Sequence, residues 1–162
     1  MKSKNFLYLI FAALLSALMS TLLYASSNST VAEITDFKAF SRNTQKNDKV
    51  LILMLHSENC PYCYKLEKEV LEPIQKQVYF SHNKFNDKLL VGKIQIDGNW
   101  KIKNYLGVES LPSSFAERYD SDLTPTLLFL DNTGKQLALP IIGLSLMEYF
   151  EEQVTEAIGK LH

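Results

Sequence analysis

Two cysteines, three positions apart and set between a strand-like run and a helix-like run, constrain the fold of this chain most strongly. Residues 50–55 read VLILML, and six apolar residues bounded by polar ones are typical of a strand buried on both faces. Cys60 and Cys63 follow in CPYC and are the only cysteines. Beyond them, Cys63, Leu66 and Val70 recur at spacings of three and four, which predicts one face of a helix.

The cysteine pair is predicted at the start of this helix. Pro61 suits a first helical turn, where its missing N–H would have no intrahelical partner. Cys60 is therefore expected at the helix N-terminus, with Cys63 facing inward. We expect Pro73 to end or kink the helix, with residues 74–82 continuing it after the break. The opposite, solvent-facing side is predicted to carry Lys65, Lys68, Glu69 and Glu72.

The N-terminal residues are typical of a targeting segment. No charged residue lies between Lys4 and Glu33, and residues 6–23 read FLYLIFAALLSALMSTLL. A basic start, an apolar stretch and a small residue at Ala25 fit a secretory signal cut after that residue. The stretch is also nearly as long as the about 20 apolar residues that span a bilayer, so an uncleaved inner-membrane anchor stays open. The predicted divisions are a signal peptide or anchor (1–25), a short tether (26–30) and one domain (31–162).

Charge and compartment narrow the function. The chain has 17 basic and 18 acidic residues, so without Lys2 and Lys4 the exported part has 15 basic residues and a formal charge of −3. It shows no basic cluster interleaved with aromatics that could neutralise phosphates, which argues against nucleic-acid binding. Disulfides persist in an exported compartment such as a periplasm and are rare in cytosol. We therefore predict a periplasmic protein whose cysteine pair can be oxidised.

The remaining patterns complete an α/β architecture. A first helix is predicted from Ile34 to Phe40, and residues 89–97 read as the next strand. Residues 124–142 predict a strand, a turn at Asn132-Thr133-Gly134 and a second strand. A final helix is expected to begin at Ser145, with Glu148 completing a capping box. Its predicted inner face consists of Phe150, Val154 and Ile158.

This order of elements resembles the thioredoxin fold, a central mixed sheet flanked by helices. Three stretches carry the resemblance: CPYC after a buried strand, VGKIQID as the next strand, and LTPTLLFLDNTGK leading into GLSLMEYFEEQV. The resemblance covers roughly residues 31–160. Within the superfamily the chain is most similar to the exported SoxW-like group, because CPYCYKLEKEVLEP is followed by FAERYDSDLTPTLLFLDNTGK.

The resemblance implies that the peptide bond between Thr124 and Pro125 is cis and lies beside the cysteines. It also implies that the Thr124 backbone binds an extended segment of a partner protein and holds the partner's disulfide near Cys60. From the residues alone, an ordinary trans proline at the start of a strand is favoured, and only the family pattern reverses this expectation.

The chemistry follows from the placement of the cysteines. A thiolate attacks a disulfide sulfur, and the positive end of a helix favours the thiolate, so Cys60 is the predicted nucleophile. Cys63 would resolve the mixed disulfide, while Pro61 and Tyr62 shape the pair. We expect an exported thiol-disulfide oxidoreductase that reduces disulfides of periplasmic proteins, acts as a monomer and draws electrons from a membrane donor. A disulfide oxidase or isomerase, or a non-catalytic binding module, are the alternatives.

Two other readings of the cysteine pair are weaker. A structural disulfide across so short a loop would remove little entropy from the unfolded chain. A zinc site would need two further ligands, and the chain has no second CxxC. We therefore expect no metal and no cofactor beyond the dithiol itself. The candidate histidines are His56, His82 and His162.

Two departures from the thioredoxin pattern bear on proton transfer and partner choice. Where many thioredoxins have an aromatic residue before the first cysteine and a buried acid in the preceding strand, this chain has Asn59 and Met54. Lys93 matches a family lysine near that acid. Because Met54 replaces the acid here, we expect Lys93 to lack this partner and to be solvated. Proton transfer from Cys63 must then use water or another group, with Glu58 and Lys65 as candidates.

The second departure is an insertion over residues 98–118, before the predicted cis-proline loop. Its apolar residues would either pack onto the core or form a lip that selects partners. The spacing of Ser114 and Glu117 predicts a short helix with a capping box. The apolar residues concerned are Trp100, Ile102, Tyr105 and Leu106.

Overall fold

The computed structural model describes residues 31–44, 49–77, 79, 86–144 and 147–161. The predicted signal segment or anchor, the tether and the Ser145 cap all lie outside these ranges. None of the helices within them is both long enough and apolar enough to cross a membrane.

The helical elements follow one another in chain order. The α-helices are α1 (Phe37–Thr44), α2 (Pro61–Leu66), α3 (Glu72–Gln75), α4 (Pro112–Glu117) and α5 (Phe150–Gly159). A π-helical segment, π1 (Glu67–Leu71), joins α2 to α3 without a break, and these three together are called the cysteine helix below. Short 3₁₀ turns span Asn86–Lys88 and Met147–Tyr149.

The strands form a mixed central sheet and a separate small hairpin. They are β1 (Val50–His56), β2 (Leu89–Gln95), β3 (Ile102–Lys103), β4 (Glu109–Ser110), β5 (Thr126–Leu130) and β6 (Ile141–Ile142). The central sheet has the order β2-β1-β5-β6, with β1 parallel to β2 and the other two pairs antiparallel. This confirms the predicted fold class, an α/β thioredoxin fold with helices flanking a mixed sheet.

β1 is the centre of the sheet and is buried on both faces, as its sequence predicts. Its alternate side chains enter two hydrophobic cores, because successive residues of a strand point to opposite faces. Ile52 and Met54 join the core under the cysteine helix and α5. Leu51 and Leu53 join the core under α1 and α4. The strand therefore ties both helical layers to one sheet.

The first helix begins later than predicted. α1 starts at Phe37, and the Asp36 carboxylate caps it by accepting the N–H of Ala39 at 2.7 Å. Ile34 instead lies in an extended rung, where its N–H donates to the Lys93 carbonyl at 2.8 Å. Of the apolar residues at helical spacing, Ile34 therefore lies at the sheet edge, and Phe37 and Phe40 lie in the helix.

Pro73 does not end the cysteine helix. The chain stays helical from Pro61 through Leu66 and π1 to Gln75, and the Glu72 N–H bonds to the Glu67 carbonyl five residues earlier. In an α-helix the proline ring would meet the carbonyl four residues before it. The wider π-helical turn directly ahead of Pro73 relieves that contact. Of the predicted continuation over residues 74–82, Ile74 and Gln75 are helical, whereas Gln77 has a φ of 58° and leaves the helix. Residues 78 and 80–82 lie outside the described residues.

The insertion folds as the β3-β4 hairpin followed by α4. Asn104 closes the hairpin, its side-chain carbonyl accepting the N–H groups of Leu106 and Val108 at 3.0 Å each. The predicted capping box is wrong, because α4 begins at Pro112 and therefore contains Ser114. Leu111 is the residue before the helix, and no side chain caps it.

The predicted hairpin after β5 is present. Asp131 organises the turn, since its carboxylate accepts the N–H groups of Thr133 and Lys135 at 2.8 and 2.9 Å. Gly134 has a φ of 84°, and a Cβ there would lie 2.4 Å from the Tyr105 ring. The turn of the hairpin is thereby fitted against the insertion.

Candidate active site

Cys60 and Cys63 lie at the N-terminus of the cysteine helix, as predicted. Cys60 immediately precedes Pro61 with an extended backbone, and its Sγ accepts the N–H of Cys63 at 3.1 Å. The two residues form a disulfide, with Cα atoms 5.2 Å apart. Cys60 is half-buried, whereas Cys63 is only 3% exposed. One sulfur is thus accessible to a partner and the other is accessible mainly through the first.

The residues between the cysteines face solvent. Pro61 is exposed, and Tyr62 is 64% exposed despite its large ring. An aromatic side chain so placed offers an exposed contact surface between the two cysteines. Both side chains are therefore accessible to a partner, as their predicted role in shaping the site requires.

The loop before Cys60 is held from two sides. The Ser57 hydroxyl lies 2.9 Å from the Thr124 hydroxyl, and the Glu58 N–H donates to the Asp97 carboxylate at 3.1 and 3.3 Å. That backbone hydrogen bond is the main reason why the pKa of Asp97 lies below its ordinary value. Both contacts position the loop that leads to Cys60, the first of them directly against Thr124.

The peptide bond between Thr124 and Pro125 is cis. The Pro125 carbonyl accepts the Gly143 N–H at 2.8 Å, which joins this loop to the end of β6. Thr124 is half-buried, and across the described residues its backbone N–H and carbonyl make no hydrogen bond. Its backbone is therefore available to an added strand.

A cavity of about 400 Å³ opens beside Thr124. Helix α4 of the insertion forms one wall of the cavity, so the insertion borders the cis-proline loop. The apolar residues of the insertion divide between two environments: Ile102 is 1% exposed, and Trp100 is 39% exposed. The lining residues are Ser57, Ile96, Asp97, Ser113, Ala116, Glu117, Asp122 and Thr124.

Lys93 is not solvated without a partner, contrary to the expectation from sequence. Its Nζ lies 3.0 Å from both carboxylate oxygens of Glu67, and the two side chains are 15% and 8% exposed. Lys93 is the register partner of Met54, the residue that replaces the expected strand acid. An acid from the helix therefore takes the place that an acid from the strand would otherwise fill. Sequence analysis missed it by seeking the acid only in β1.

A second buried acid on the cysteine helix was also placed wrongly. Glu72 was expected on the solvent face but is 7% exposed, with its carboxylate bound by Lys68 and by Lys76 at 3.2 Å. The hydrogen bond from Lys68 is the main cause of its lowered pKa. The π-helical segment rotates the last turn relative to an uninterrupted α-helix, which explains the change of face.

His56 contacts Glu33, and no hydrogen bond in the described part of the chain joins it to Cys60. Its Nε2 lies 3.0 Å from one Glu33 carboxylate oxygen, and the other oxygen accepts the Gln95 N–H at 2.6 Å. His82 and His162 lie outside the described residues. Within the described ranges, no group of three or more His, Cys, Asp and Glu side chains could hold a metal ion. Glu58 and Lys65, the other candidates for proton transfer, are both exposed.

The contact between Asp97 and the loop before Cys60 could have been predicted from the sequence. β1 and β2 are parallel, so their carboxyl ends meet at one edge of the sheet, and Asp97 lies just beyond β2. That position predicts a contact with the loop after β1. The contact between Ser57 and Thr124 had no such signal, because it joins residues 67 positions apart through the fold alone.

Comparison with known proteins agrees with this architecture. A family model described as a thioredoxin-like domain matches residues 37–157. No curated protein matches the chain.

Solved thioredoxins share the fold at low sequence identity. Deadhead, a germline-specific thioredoxin of Drosophila melanogaster, is 18% identical over 77% of this chain and 98% of its own, with a TM-score of 0.52. Mitochondrial thioredoxin 3 of Saccharomyces cerevisiae is 16% identical over 79% and 97%, with a TM-score of 0.51. Fasciola hepatica thioredoxin is 12% identical over 78% and 99%, with a TM-score of 0.52.

The fold and the disulfide-bonded CxxC pair together support thiol-disulfide oxidoreductase activity. The family match extends over most of the chain and includes both cysteines, the buried strand before them and the Thr124-Pro125 loop. This chain belongs to the thioredoxin-like domain family.

Proposed function

We propose that this protein is an exported oxidoreductase that reduces disulfide bonds in partner proteins. The observation that carries the proposal is the unequal exposure of two bonded cysteines at a helix N-terminus, with Cys60 half-buried and Cys63 3% exposed. A partner can therefore reach Cys60 first, and the buried Cys63 reacts afterwards, with Cys60.

The reaction proceeds in two exchanges. The Cys60 thiolate attacks one sulfur of the partner's disulfide, forming a mixed disulfide and releasing the partner's other sulfur as a thiolate. Cys63 then loses its proton and attacks Cys60 Sγ, which breaks the mixed disulfide and releases the partner's second sulfur. The partner gains two electrons, and the protein is left with the Cys60–Cys63 disulfide. Electrons must return from a donor outside this chain.

The Thr124 backbone is the proposed docking edge for the partner. Within the described residues its N–H and carbonyl groups make no hydrogen bond, so a partner segment can add there as a short strand, which is a common mode of peptide recognition. The hydroxyl contact between Ser57 and Thr124 fixes this edge relative to the loop that leads to Cys60. A partner disulfide bound there would lie within reach of the nucleophile.

Export and direction rest on the sequence and on the resemblance to SoxW-like proteins. Residues 1–25 resemble a secretory signal or a membrane anchor, which implies work in a periplasm and a membrane-bound electron donor. N-terminal sequencing of the secreted protein tests this: a start at Ser26 supports cleavage, and a retained Met1 makes the protein membrane-anchored.

Insulin reduction tests the enzymatic proposal. The wild-type protein, supplied with a small thiol, should precipitate the insulin chains, and Cys60→Ser should abolish this activity. Cys63→Ser is the matched control, since it keeps the nucleophile and should accumulate a mixed disulfide with the partner. If Cys60→Ser retains both partner binding and the biological role, the protein is a binding module instead.

A further inference from the structure

The second exchange requires a group that removes the proton from Cys63. The strand position that supplies a carboxylate in many thioredoxins is Met54, which is 1% exposed and cannot accept a proton. Glu58 and Lys65 are exposed on the surface, whereas Cys63 is buried. Water and the buried groups around the cysteine helix are the acceptors that remain.

Glu67 is placed one helical turn from Cys63. Its N–H is shared between the carbonyls of Cys63 and Tyr64, and the first of these bonds closes an α-helical turn from Cys63 to Glu67. Residues four apart in such a turn lie on the same face, with about 5–6 Å between their Cβ atoms. Cys63 and Glu67 are both buried, at 3% and 6% exposure. The carboxylate and the thiol thus share the buried face beneath the reactive end of the helix.

Lys93 is the ion-pair partner of this buried carboxylate and fixes its direction. Its Nζ lies 3.0 Å from both oxygens, and a buried carboxylate without such a partner would be strongly disfavoured. A carboxylate has about four acceptor sites, so the contacts with Lys93 leave others open to a proton.

The surrounding charges single out Glu67 among the described residues. Lys93 faces it from β2, Lys68 lies next to it on its own helix, and β1 contributes the apolar Met54. Glu33, which precedes α1, interacts electrostatically with Lys93. The other buried acid on the helix, Glu72, is nine positions from Cys63 and is held by Lys68 and Lys76.

We propose that Glu67, held by Lys93, accepts the proton of Cys63 as that residue resolves the mixed disulfide. The Cys63 S–H bond breaks, its proton moves to the Glu67 carboxylate, and its electron pair forms the bond to Cys60 Sγ. The bond between Cys60 and the partner breaks, and the partner sulfur leaves as a thiolate. This role rests on the proposed disulfide exchange, and it moves the proton-accepting task from the strand to the helix.

A two-phase exchange reaction separates the two cysteines. The reduced protein is mixed with 5,5′-dithiobis(2-nitrobenzoate), and release of the coloured thiolate is followed by stopped flow. The first phase is attack by Cys60, and the second is displacement by Cys63. Because the leaving thiolate needs no proton, the second phase reports proton loss from Cys63.

Glu67→Gln should leave the first phase unchanged and slow the second by about a hundredfold near neutral pH, the usual contribution of a general base. The second phase should then rise about tenfold per pH unit, since only hydroxide remains as acceptor. Glu72→Gln, the matched buried-acid control, should leave both phases unchanged. Glu67→Asp keeps the carboxylate and should restore the wild-type pH dependence at a reduced rate.

An unchanged second phase in Glu67→Gln would overturn the inference, and so would equal slowing in Glu72→Gln. If Glu67→Gln loses the first phase through misfolding, Glu67→Asp decides alone: a slower second phase supports the inference, and an unchanged one refutes it. A wild-type protein with no second phase would instead refute the proposed exchange function, whatever Glu67 does.

Discussion

The two faces of the central sheet are packed by different means. On the insertion face, aromatic rings fill the space: Phe37 stacks on Phe115 with centroids 4.2 Å apart, and Tyr105 lies 5.2 Å from Phe37. The Tyr105 hydroxyl has no partner in the described part of the chain, and burial raises its pKa. On the cysteine-helix face, the core additionally carries the Glu67–Lys93 ion pair close to Cys63.

This difference suggests that the two faces serve different purposes, stability on the insertion face and chemistry on the cysteine-helix face. Apolar and aromatic packing stabilises a sheet wherever it occurs and does not depend on charge. A buried ion pair gives little net stability, because desolvation offsets most of the attraction between the charges. The proposed role in proton transfer from Cys63 therefore explains the ion pair better than stability does, whereas the packing on the opposite face holds the sheet in place.

Removing a ring from the insertion face should have the largest effect on stability. Phe115→Ala should lower the free energy of unfolding by about 4 kcal/mol, because it removes a fully buried aromatic side chain and leaves a cavity. Below the melting temperature, the rate of Cys60 with a small disulfide should stay within about twofold of wild type. Urea denaturation and stopped-flow exchange measure the two quantities. A large loss of exchange in the folded variant would contradict the separation of the faces.

Breaking the ion pair should affect stability somewhat less. Lys93→Met should destabilise the protein by about 3 kcal/mol, since it leaves the Glu67 carboxylate buried and unpaired. The double variant Glu67→Leu with Lys93→Met should recover most of that loss, because two apolar side chains need no partner.

Denaturation of both variants and of wild type in urea provides the comparison. If the double variant is no more stable than the single one, the pair contributes to stability in its own right, and the contrast between the faces weakens.

The smallest effect is expected at the sheet edge. Burial alone would raise the pKa of Glu33, but its hydrogen bond with His56, the charge of His56 and the Gln95 N–H outweigh burial and lower it. The resulting stability is present above the ordinary pKa of 4.5 and is lost as the pH falls through the lower folded value.

Because Glu33 is partly exposed, its contribution should not exceed about 1 kcal/mol. Glu33→Gln should therefore lower the free energy of unfolding by this amount near neutral pH and have no effect in acid. The control Glu152→Gln, at an exposed position, should match the wild-type stability at every pH. Thermal unfolding over a series of pH values measures this, and a Glu33→Gln defect that grows in acid would contradict the assignment.

The strongest patterns in the sequence predicted the fold well. The run at residues 50–55, the CPYC motif and the hairpin turn each depend on local chemistry, and each is present where expected. The predicted helix boundaries were wrong in two places. At Ile34 the same apolar spacing fits a strand and a helix, and at Pro73 a π-helical turn lets the helix continue past the proline. Such outcomes depend on tertiary packing, which local spacing does not encode.

The site was only partly predictable for the same reason. The cysteines are neighbours in sequence, so their joint placement followed from the motif. Glu67 and Lys93 are 26 residues apart, and their contact depends on the register between β1 and β2 and on the helix above them. The change of a strand acid to Met54 was visible, but the compensating helix acid needed the packed structure.

The reduction potential of the Cys60–Cys63 pair tests the central claim most directly. The purified protein is equilibrated in a graded series of thiol-disulfide buffers, and the fraction reduced is read by alkylation of the free cysteines. A reductant should give a value near that of thioredoxin, about −270 mV, and a value near about −120 mV, that of a strong periplasmic oxidant, would contradict it.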